Sequence, residues 1–181
     1  MLLFAGAGPE MIHGRDDVFD DVWDLDLDNE HWHLLETTGQ CPSARSDHSA
    51  TFLPGHGLVV YGGIAKNVPQ SDISILDVAT MCWSLVGSVG TGPGPLYSHS
   101  AFLNPWYPEV IHIFGGRGID TPQGDLYRLS LGESPRDCAR AQYYARNIHA
   151  LTHTPTRTHT TNEPILLFIH PRARGRAVVW Y

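Results

Sequence analysis

The chain has 181 residues, of which 42% are apolar and 10% aromatic, and its formal net charge is −7. This composition predicts a soluble, globular protein, because disordered chains contain few aromatic residues and a membrane-spanning helix needs about 20 consecutive apolar residues. The N-terminus shows no pattern of an export signal, so we expect a cytoplasmic location, with the nucleus as an alternative.

The first predicted unit contains three strands, near residues 2–6, 20–27 and 31–36. The first strand is LLFAG, an apolar run that ends in an aromatic residue followed by small residues. The second is DVWDLDL, which begins at Asp21, and the third carries Trp32, six residues after Asp26. Apolar and polar positions alternate in these segments, which predicts strands buried on one face.

The same elements recur in a second unit, near residues 45–87, and in a third, near 98–131. RSDHSATFL is echoed by LYSHSAFL, LLFAG by LVVYGG and IHIFGG, and DVWDLDL by DISILDV and DLYRLSL, mostly at spacings of 51 to 53 residues. The predicted structural positions of the repeat are Gly6, Gly8, Gly62, Gly63, Gly115, Gly116, Trp32, Trp83, His48 and His99.

A period of roughly 50 residues with four strands and a Gly-Gly pair resembles the Kelch repeat, whose units form the blades of a β-propeller. The resemblance covers about residues 1–131 and implies an all-β fold, an incomplete Kelch-type propeller of about three four-stranded blades. The first unit lacks its first strand. The third lacks its fourth strand and has Arg136 where a tryptophan is expected.

The predicted propeller is too short to close into a ring. A ring has at least four blades and needs roughly 160 to 200 residues of repeat, whereas only about 130 are present. Three interpretations follow. The chain is a fragment or truncated form of a larger propeller, it completes a ring with another chain, or it is an arc capped by its own tail.

The tail, residues 132–181, differs in kind from the repeats. Residues 1–131 hold 5 basic and 16 acidic residues, a net charge of −11, whereas the tail holds 7 basic and 3 acidic residues, a net charge of +4. We expect a basic, Thr/His/Arg-rich segment that is irregular or partly helical and largely disordered, with helix formers at 139–150. Its few arginines do not predict a nucleic-acid or membrane surface.

No metal, cofactor or catalytic site is predicted. The aspartates at 24, 26 and 28 lack the Gly and Glu of an EF-hand loop, and His31 and His33 have no third ligand nearby. In His48-Ser49 and His99-Ser100, neighbouring side chains point to opposite faces of a strand, so neither serine is activated by the histidine beside it.

Kelch-like propellers bind partner proteins through loops at one rim, so the resemblance implies a non-catalytic protein–protein interaction module. Its unidentified protein partner would contact residues that the resemblance places in rim loops. These are Arg45, Asp47, Lys66, Asn67, Arg117 and Asp120.

Two alternatives remain open. The first is a galactose-oxidase-like or sugar-modifying propeller enzyme. The residue types of a copper site of that kind are present in Tyr61, Tyr97, Tyr127, His99, His112 and Cys82. The second is a remnant that has no independent function.

Overall fold

The computed structural model describes residues 1–8, 18–90, 92–119, 121–131 and 143–151, with backbone alone at 88–90 and 143–151. These residues form fourteen β-strands. No helix in this described part is long and apolar enough to cross a membrane. The strands are β1 Leu2–Ala7, β2 Val18–Asp26, β3 His31–Leu35, β4 Thr38–Gly39, β5 Ser49–Leu53, β6 Gly57–Tyr61, β7 Ile64–Ala65, β8 Val68–Pro69, β9 Ile73–Asp77, β10 Cys82–Gly90, β11 Ser100–Asn104, β12 Tyr107–Phe114, β13 Leu126–Leu131 and β14 Tyr143–Leu151.

Antiparallel pairing groups the longer strands into three blades. Blade 1 has the order β1-β2-β3, blade 2 has β5-β6-β9-β10, and blade 3 has β11-β12-β13-β14. The short strands β7 and β8 form a hairpin between β6 and β9. The arrangement is all-β and matches a partial propeller, as the sequence predicts.

Strand β10 links all three blades. Its first residues pair in parallel with β4, the segment that follows blade 1, and also pair with β9 of blade 2. Its last residues, from Val86 to Gly90, pair in parallel with β14 of blade 3. Blades 2 and 3, together with β4, therefore form one continuous nine-stranded sheet.

The third blade has a fourth strand, β14, which lies in the segment predicted to be partly helical. The helical prediction is wrong for Tyr143–Leu151, because this segment pairs along the whole of β13. The register also identifies the missing tryptophan position. Trp32 lies opposite Leu25 and Trp83 opposite Leu76, and the corresponding partner of Leu129 is Ile148. Helix propensity is a weak preference that tertiary pairing overrides.

The register corrects the predicted glycine pair of blade 1. Phe4, Tyr61 and Phe114 occupy equivalent positions, opposite Val22, Ile73 and Leu126. The residues that follow are Ala5-Gly6, Gly62-Gly63 and Gly115-Gly116, and all six have positive φ. Gly8 is therefore not a repeat glycine. The sequence pattern does not reveal this pair, because its first residue is an alanine. Residues with a Cβ rarely adopt the φ of 55° that Ala5 has.

The repeated aspartate that precedes each tryptophan caps a turn. Asp26 Oδ1 accepts hydrogen bonds from the backbone N–H groups of Asp28 and Asn29, and Asp77 Oδ1 accepts them from Ala79 and Thr80. The side-chain amide of Asn29, which donates to Asp26 Oδ2, and these backbone bonds together hold the pKa of Asp26 below its usual value. A short side chain that binds the backbone two and three residues ahead closes the hairpin into the outer strand.

The core lies between the blades. One apolar cluster joins blades 1 and 2 and includes Phe4, Val22, Leu58, Leu76 and Trp83. A second cluster joins blades 2 and 3 and includes Leu53, Val59, Tyr61, Ile73, Ile75, Leu96, Ile111, Ile113, Tyr127 and Leu129. Strand β6 is buried along its whole length because its two faces contribute to different clusters.

Candidate protein-interaction surface

Two sets of loops meet at one end of the blades. The β6–β9 and β12–β13 loops leave and re-enter their blades at the end where the chain also enters β5 and β11. We call this end the loop rim and define it by residues 43–48, 62–72, 94–99 and 115–125. Five of the six predicted contact residues are described, and their backbone lies in the loop rim. Asp120 lies outside the described residues.

Backbone hydrogen bonds brace the loop rim. Ser46 and Ile64 exchange two N–H···O bonds, and the equivalent residues of the next blade, Tyr97 and Arg117, exchange two more at 2.8 and 3.0 Å. The N–H of Gly63 donates to the carbonyl of Leu96, which ties blade 2 to the loop that enters blade 3. These bonds fix the loop backbone, which leaves its exposed side chains free to contact another molecule.

Lys66 and Asn67 form the tip of the β7–β8 hairpin. Both residues have positive φ, 50° and 61°, which is the conformation of a type I′ turn. Both side chains are exposed. The turn therefore projects a cation and an amide from a short, well-defined hairpin.

Arg117 lies in the corresponding loop of blade 3 and is exposed. Its backbone bridges Tyr97 and Pro122, so the position of its Cα is set by the rim. No described residue forms an ion pair with its guanidinium. Arginine binds carboxylates through two parallel hydrogen bonds, which makes this side chain suited to an acidic partner group.

Asp47 joins the loops of two blades. Its carboxylate accepts hydrogen bonds from the hydroxyls of Ser46 and Ser98, and its carbonyl accepts one from the N–H of Ser98. Ser98 lies 51 residues after Asp47 and shares its positive φ. The exposed Asp47 carboxylate thus bridges neighbouring blades as well as facing solvent.

Arg45 does not lie on the exposed rim, because its side chain is buried, with 1% of the residue exposed. Its guanidinium forms two hydrogen bonds with the Asp72 carboxylate, at 2.8 and 2.9 Å. It also donates to the carbonyls of Gly62 and Ser43 and to the Ser43 hydroxyl. Arg45 therefore holds the rim together from inside and is not available to a docked partner.

Sequence reasoning missed Asp72 as the partner of Arg45. A signal was present, because the residue 51 positions after Arg45 is Leu96, an apolar residue that is fully buried. A position that is apolar in one blade and charged in another indicates a buried charge with a partner.

His48 and His99 lie where consecutive blades meet. The His48 ring packs edge-on against Phe4 of blade 1, and His99 packs in the same way against Tyr61 of blade 2. Burial lowers the pKa of both rings, with a contribution from Arg45 at His48, and the pKa of His99 falls to about 4 through burial and the nearby His48. Both rings are neutral at neutral pH and contribute to blade packing.

The residues considered for an oxidase site do not share one location. Tyr61 and Tyr127 belong to the core between blades 2 and 3, and burial raises the pKa of both phenols. His112 stacks on Phe102 on the outer face of blade 3. Within the described ranges, no group of three His, Cys, Asp or Glu side chains could hold a metal ion.

Comparison with known proteins identifies the repeat. Residues 1–161 match the KLHDC2/KLHL20/DRC7 Kelch-repeats domain. The Rab9 effector protein with kelch motifs of Bos taurus is 34% identical over 93 residues, which are 48% of this chain and 24% of that protein. The Homo sapiens protein of the same name is 32% identical over 91 residues, 47% of this chain and 24% of that protein.

A plant protein contains a segment that is similar to this chain. Acyl-CoA-binding domain-containing protein 4 of Arabidopsis thaliana is 34% identical over 83 residues, 46% of this chain and 12% of that protein. The chain spans about a quarter or less of the length of these three curated relatives. The match over 161 residues, together with three blades in a common register, shows that the chain belongs to the KLHDC2/KLHL20/DRC7 Kelch-repeats domain family.

Proposed function

We propose that this chain is a non-catalytic protein-interaction module whose partner docks on the loop rim. Domains of the Kelch-repeat family typically mediate protein–protein interaction, which supports the general role. Lys66, Asn67 and Arg117 are the proposed contacts, and the exposed Asp47, which bonds to Ser98 in the loop that enters β11, is a further rim residue.

The observation that carries the proposal is the placement of the exposed cations. Residues 1–131 contain five basic residues. Arg15 lies outside the described residues, Arg45 is buried against Asp72, and Arg128 is exposed over the Tyr107 ring on blade 3, away from the rim. The remaining two, Lys66 and Arg117, are both on the rim of an otherwise acidic propeller, which favours a partner segment that carries carboxylates.

Comparative affinity capture tests the rim. The bait is the full chain, either unchanged or carrying Lys66→Glu together with Arg117→Glu. Arg128→Glu is the matched control, because it makes the same charge change at an exposed site away from the rim. We expect specific partners to be lost from the rim variant and retained by the control. A set of partners that is equal in all three samples, with unchanged circular dichroism, contradicts docking on the rim.

We also propose that the module works as part of a larger propeller, in which an additional blade covers the outer face of blade 1. Met1, Leu3 and Trp32 are exposed, whereas their equivalents in blade 2, Leu58, Val60 and Trp83, are buried against blade 1. Size-exclusion chromatography with light scattering, on the chain alone and with a longer polypeptide that contains it, checks this. A monodisperse monomer that gains no stability in the longer context contradicts the proposal.

A further inference from the structure

An exposed apolar side chain lies close in sequence to each of the two cations that the loop rim exposes. Val68 follows Lys66 by two residues in the β7–β8 hairpin and is 57% exposed. Ile119 follows Arg117 by two residues in the β12–β13 loop and is 70% exposed. The loops of blades 2 and 3 therefore share one short pattern, a cation and then a β-branched apolar residue two positions later.

The other large apolar side chains of the rim are at least partly buried. Leu96 is fully buried in the core between blades 2 and 3, and Ile64 and Tyr97 are partly buried. Among the described rim residues, Val68 and Ile119 are thus the large apolar side chains left to solvent. A docked molecule that covers them gains free energy, because it removes apolar surface from water.

Hydrogen bonds hold the backbone around Val68. This residue pairs with Ala65 across the β7–β8 hairpin, and its carbonyl accepts a 2.8 Å hydrogen bond from the side-chain amide of Gln70. The N–H of Gln70 donates to the carbonyl of Gly63, also at 2.8 Å, which closes the base of the hairpin. The Val68 side chain is therefore presented from an ordered backbone, and little conformational entropy remains to be lost when a partner covers it.

The loop that carries Ile119 is closed in a similar way. The N–H of Gly118 donates to the carbonyl of Thr121 at 3.0 Å, and the N–H of Gln123 donates to the carbonyl of Gly116 at 2.9 Å. Both bonds span Ile119, so they set the direction in which the chain leaves and re-enters the blade. Exposed apolar residues on such a closed loop are suited to act as anchors for a partner.

The two loops belong to one continuous surface. Ser46 exchanges backbone hydrogen bonds with Ile64 beside the hairpin, and the next residue, Asp47, bonds to Ser98 of the following loop. Arg117 exchanges two backbone bonds with the residue that precedes Ser98. Packed sheets lie about 10 Å apart, which is roughly the length of three residues of an extended chain. A short extended segment can therefore reach from the loop of blade 2 to that of blade 3.

We propose that the loop rim binds an extended segment of a partner protein in which each of two carboxylates is accompanied by a large apolar side chain. The carboxylates pair with Lys66 and Arg117, and the apolar side chains cover Val68 and Ile119. This inference rests on the proposed docking of a partner on the rim, and it adds the apolar half of the recognition. Charge guides the segment to the rim, while burial of the apolar side chains slows its dissociation.

Three short fluorescent peptides are the probes. SESLESLS has two glutamates three residues apart, each followed two residues later by leucine. SESSESSS keeps the charge without the leucines, and SQSLQSLS keeps the leucines without the charge. We expect SESLESLS to bind the full chain saturably, with a dissociation constant below about 1 mM, and each of the other peptides to bind at least about tenfold more weakly. Added salt should weaken both acidic peptides and leave the ratio of their affinities unchanged.

Replacement of the two exposed apolar residues tests their role. Val68→Ser together with Ile119→Ser should weaken SESLESLS about tenfold and leave the binding of SESSESSS unchanged. The matched control combines Leu27→Ser with Leu34→Ser, because these side chains of blade 1 are similarly exposed and lie outside the loop rim. It should bind all three peptides as the unchanged chain does. Thermal melts check that both double variants remain folded.

The possible failures separate this inference from the proposed function. If SESLESLS and SESSESSS bind equally and both lose affinity in the variant carrying Lys66→Glu and Arg117→Glu, the rim binds acidic segments but the apolar contacts are wrong. Equal weakening of SESLESLS by the rim variant and by the control also overturns the inference. If neither acidic peptide binds, or if the charge reversal has no effect, docking of an acidic segment on the rim is itself contradicted.

Discussion

Trp32 and Trp83 occupy the same position in consecutive blades, and their surroundings differ completely. Each lies opposite the equivalent leucine of the neighbouring strand, Leu25 or Leu76. Trp83 is 1% exposed and packs against Phe4 of blade 1, with ring centroids 4.9 Å apart, whereas Trp32 is 47% exposed. The burial of a repeat tryptophan is thus set by the blade that precedes it, so the same residue makes an interface on one blade and a bare face on the other.

A second comparison, at the loop rim, shows two different residues at equivalent positions with the same degree of burial. Arg45 and Leu96 are equivalent residues of successive loops, and both are fully buried. Each carbonyl accepts a hydrogen bond from the second residue of the preceding glycine pair, Gly6 or Gly63. The backbone role is the same, while one side chain is satisfied by an ion pair with Asp72 and the other by apolar packing.

The largest expected effect is at Trp83. Trp83→Ala should lower the free energy of unfolding by about 4 kcal/mol, because it removes a fully buried indole from the core between blades 1 and 2. Urea denaturation followed by circular dichroism measures the change. Trp83→Phe, which keeps an aromatic ring, should cost less. A loss below about 1 kcal/mol for the alanine variant would mean that blades 1 and 2 are not packed as described.

The next largest effect tests the ion pair between Arg45 and Asp72 in the loop rim. Asp72→Asn should destabilise the chain by about 2 to 3 kcal/mol, because the buried guanidinium of Arg45 loses its counter-charge while the carboxylate side of the pair is partly solvated.

A double-mutant cycle separates the ion pair from packing. Arg45→Leu reproduces the residue found at the equivalent position of the next loop, and combined with Asp72→Asn it should cost less than the two single losses added together. Strict additivity in the same denaturation assay would indicate that the two side chains do not act as a pair.

Acid should weaken the contact between blades 2 and 3. The unfolded chain protonates His99 near its ordinary pKa of 6.5, whereas the folded chain does so only at about pH 4. The unfolded state therefore binds more protons between these values, and stability falls as pH drops through this interval.

After allowance for solvent near the ring, we expect His99 to account for about 2 kcal/mol of the acid-induced loss. Thermal melts between pH 7 and pH 4 measure it. His99→Gln should flatten the pH dependence, and the surface variant His33→Asn serves as its control. An unchanged slope in the His99 variant would exclude this ring as the source.

The smallest effect is at Trp32. Trp32→Ala should change the free energy of unfolding by less than about 0.5 kcal/mol in the isolated chain, because the indole is half exposed on an uncovered face. The same urea assay as for Trp83 makes the two losses directly comparable. A cost approaching that of Trp83→Ala would show that another part of the protein, or a second copy, covers this face.

The sequence predicts the blades well because repeat spacing is read directly from residues that every blade shares. A spacing of 51 residues places Trp83 at the position of Trp32 and His99 at the position of His48. Prediction fails where a blade departs from the common residues. Ala5 hides the first glycine pair, and Ile148 in the tryptophan position hides β14.

The candidate surface was predictable in outline, but the partner of its buried charge was not. A charged residue in a loop is usually exposed, and for Lys66 and Arg117 this expectation agrees with their accessibility. For Arg45 it does not, because the acceptor Asp72 is distant in sequence and approaches only when β9 joins the blade. Contacts of that kind depend on tertiary geometry, which local patterns do not encode.

Strand β10 determines how this arc of blades unfolds. In an ordinary repeat array each unit contacts only its neighbours, so units at the ends can open independently. Here one strand pairs with β4 after blade 1, with β9 in blade 2 and with β14 in blade 3. Melting the middle blade therefore breaks backbone pairing beside both of its neighbours, which couples the three blades into a single cooperative unit and makes the amides of β10 the last to exchange.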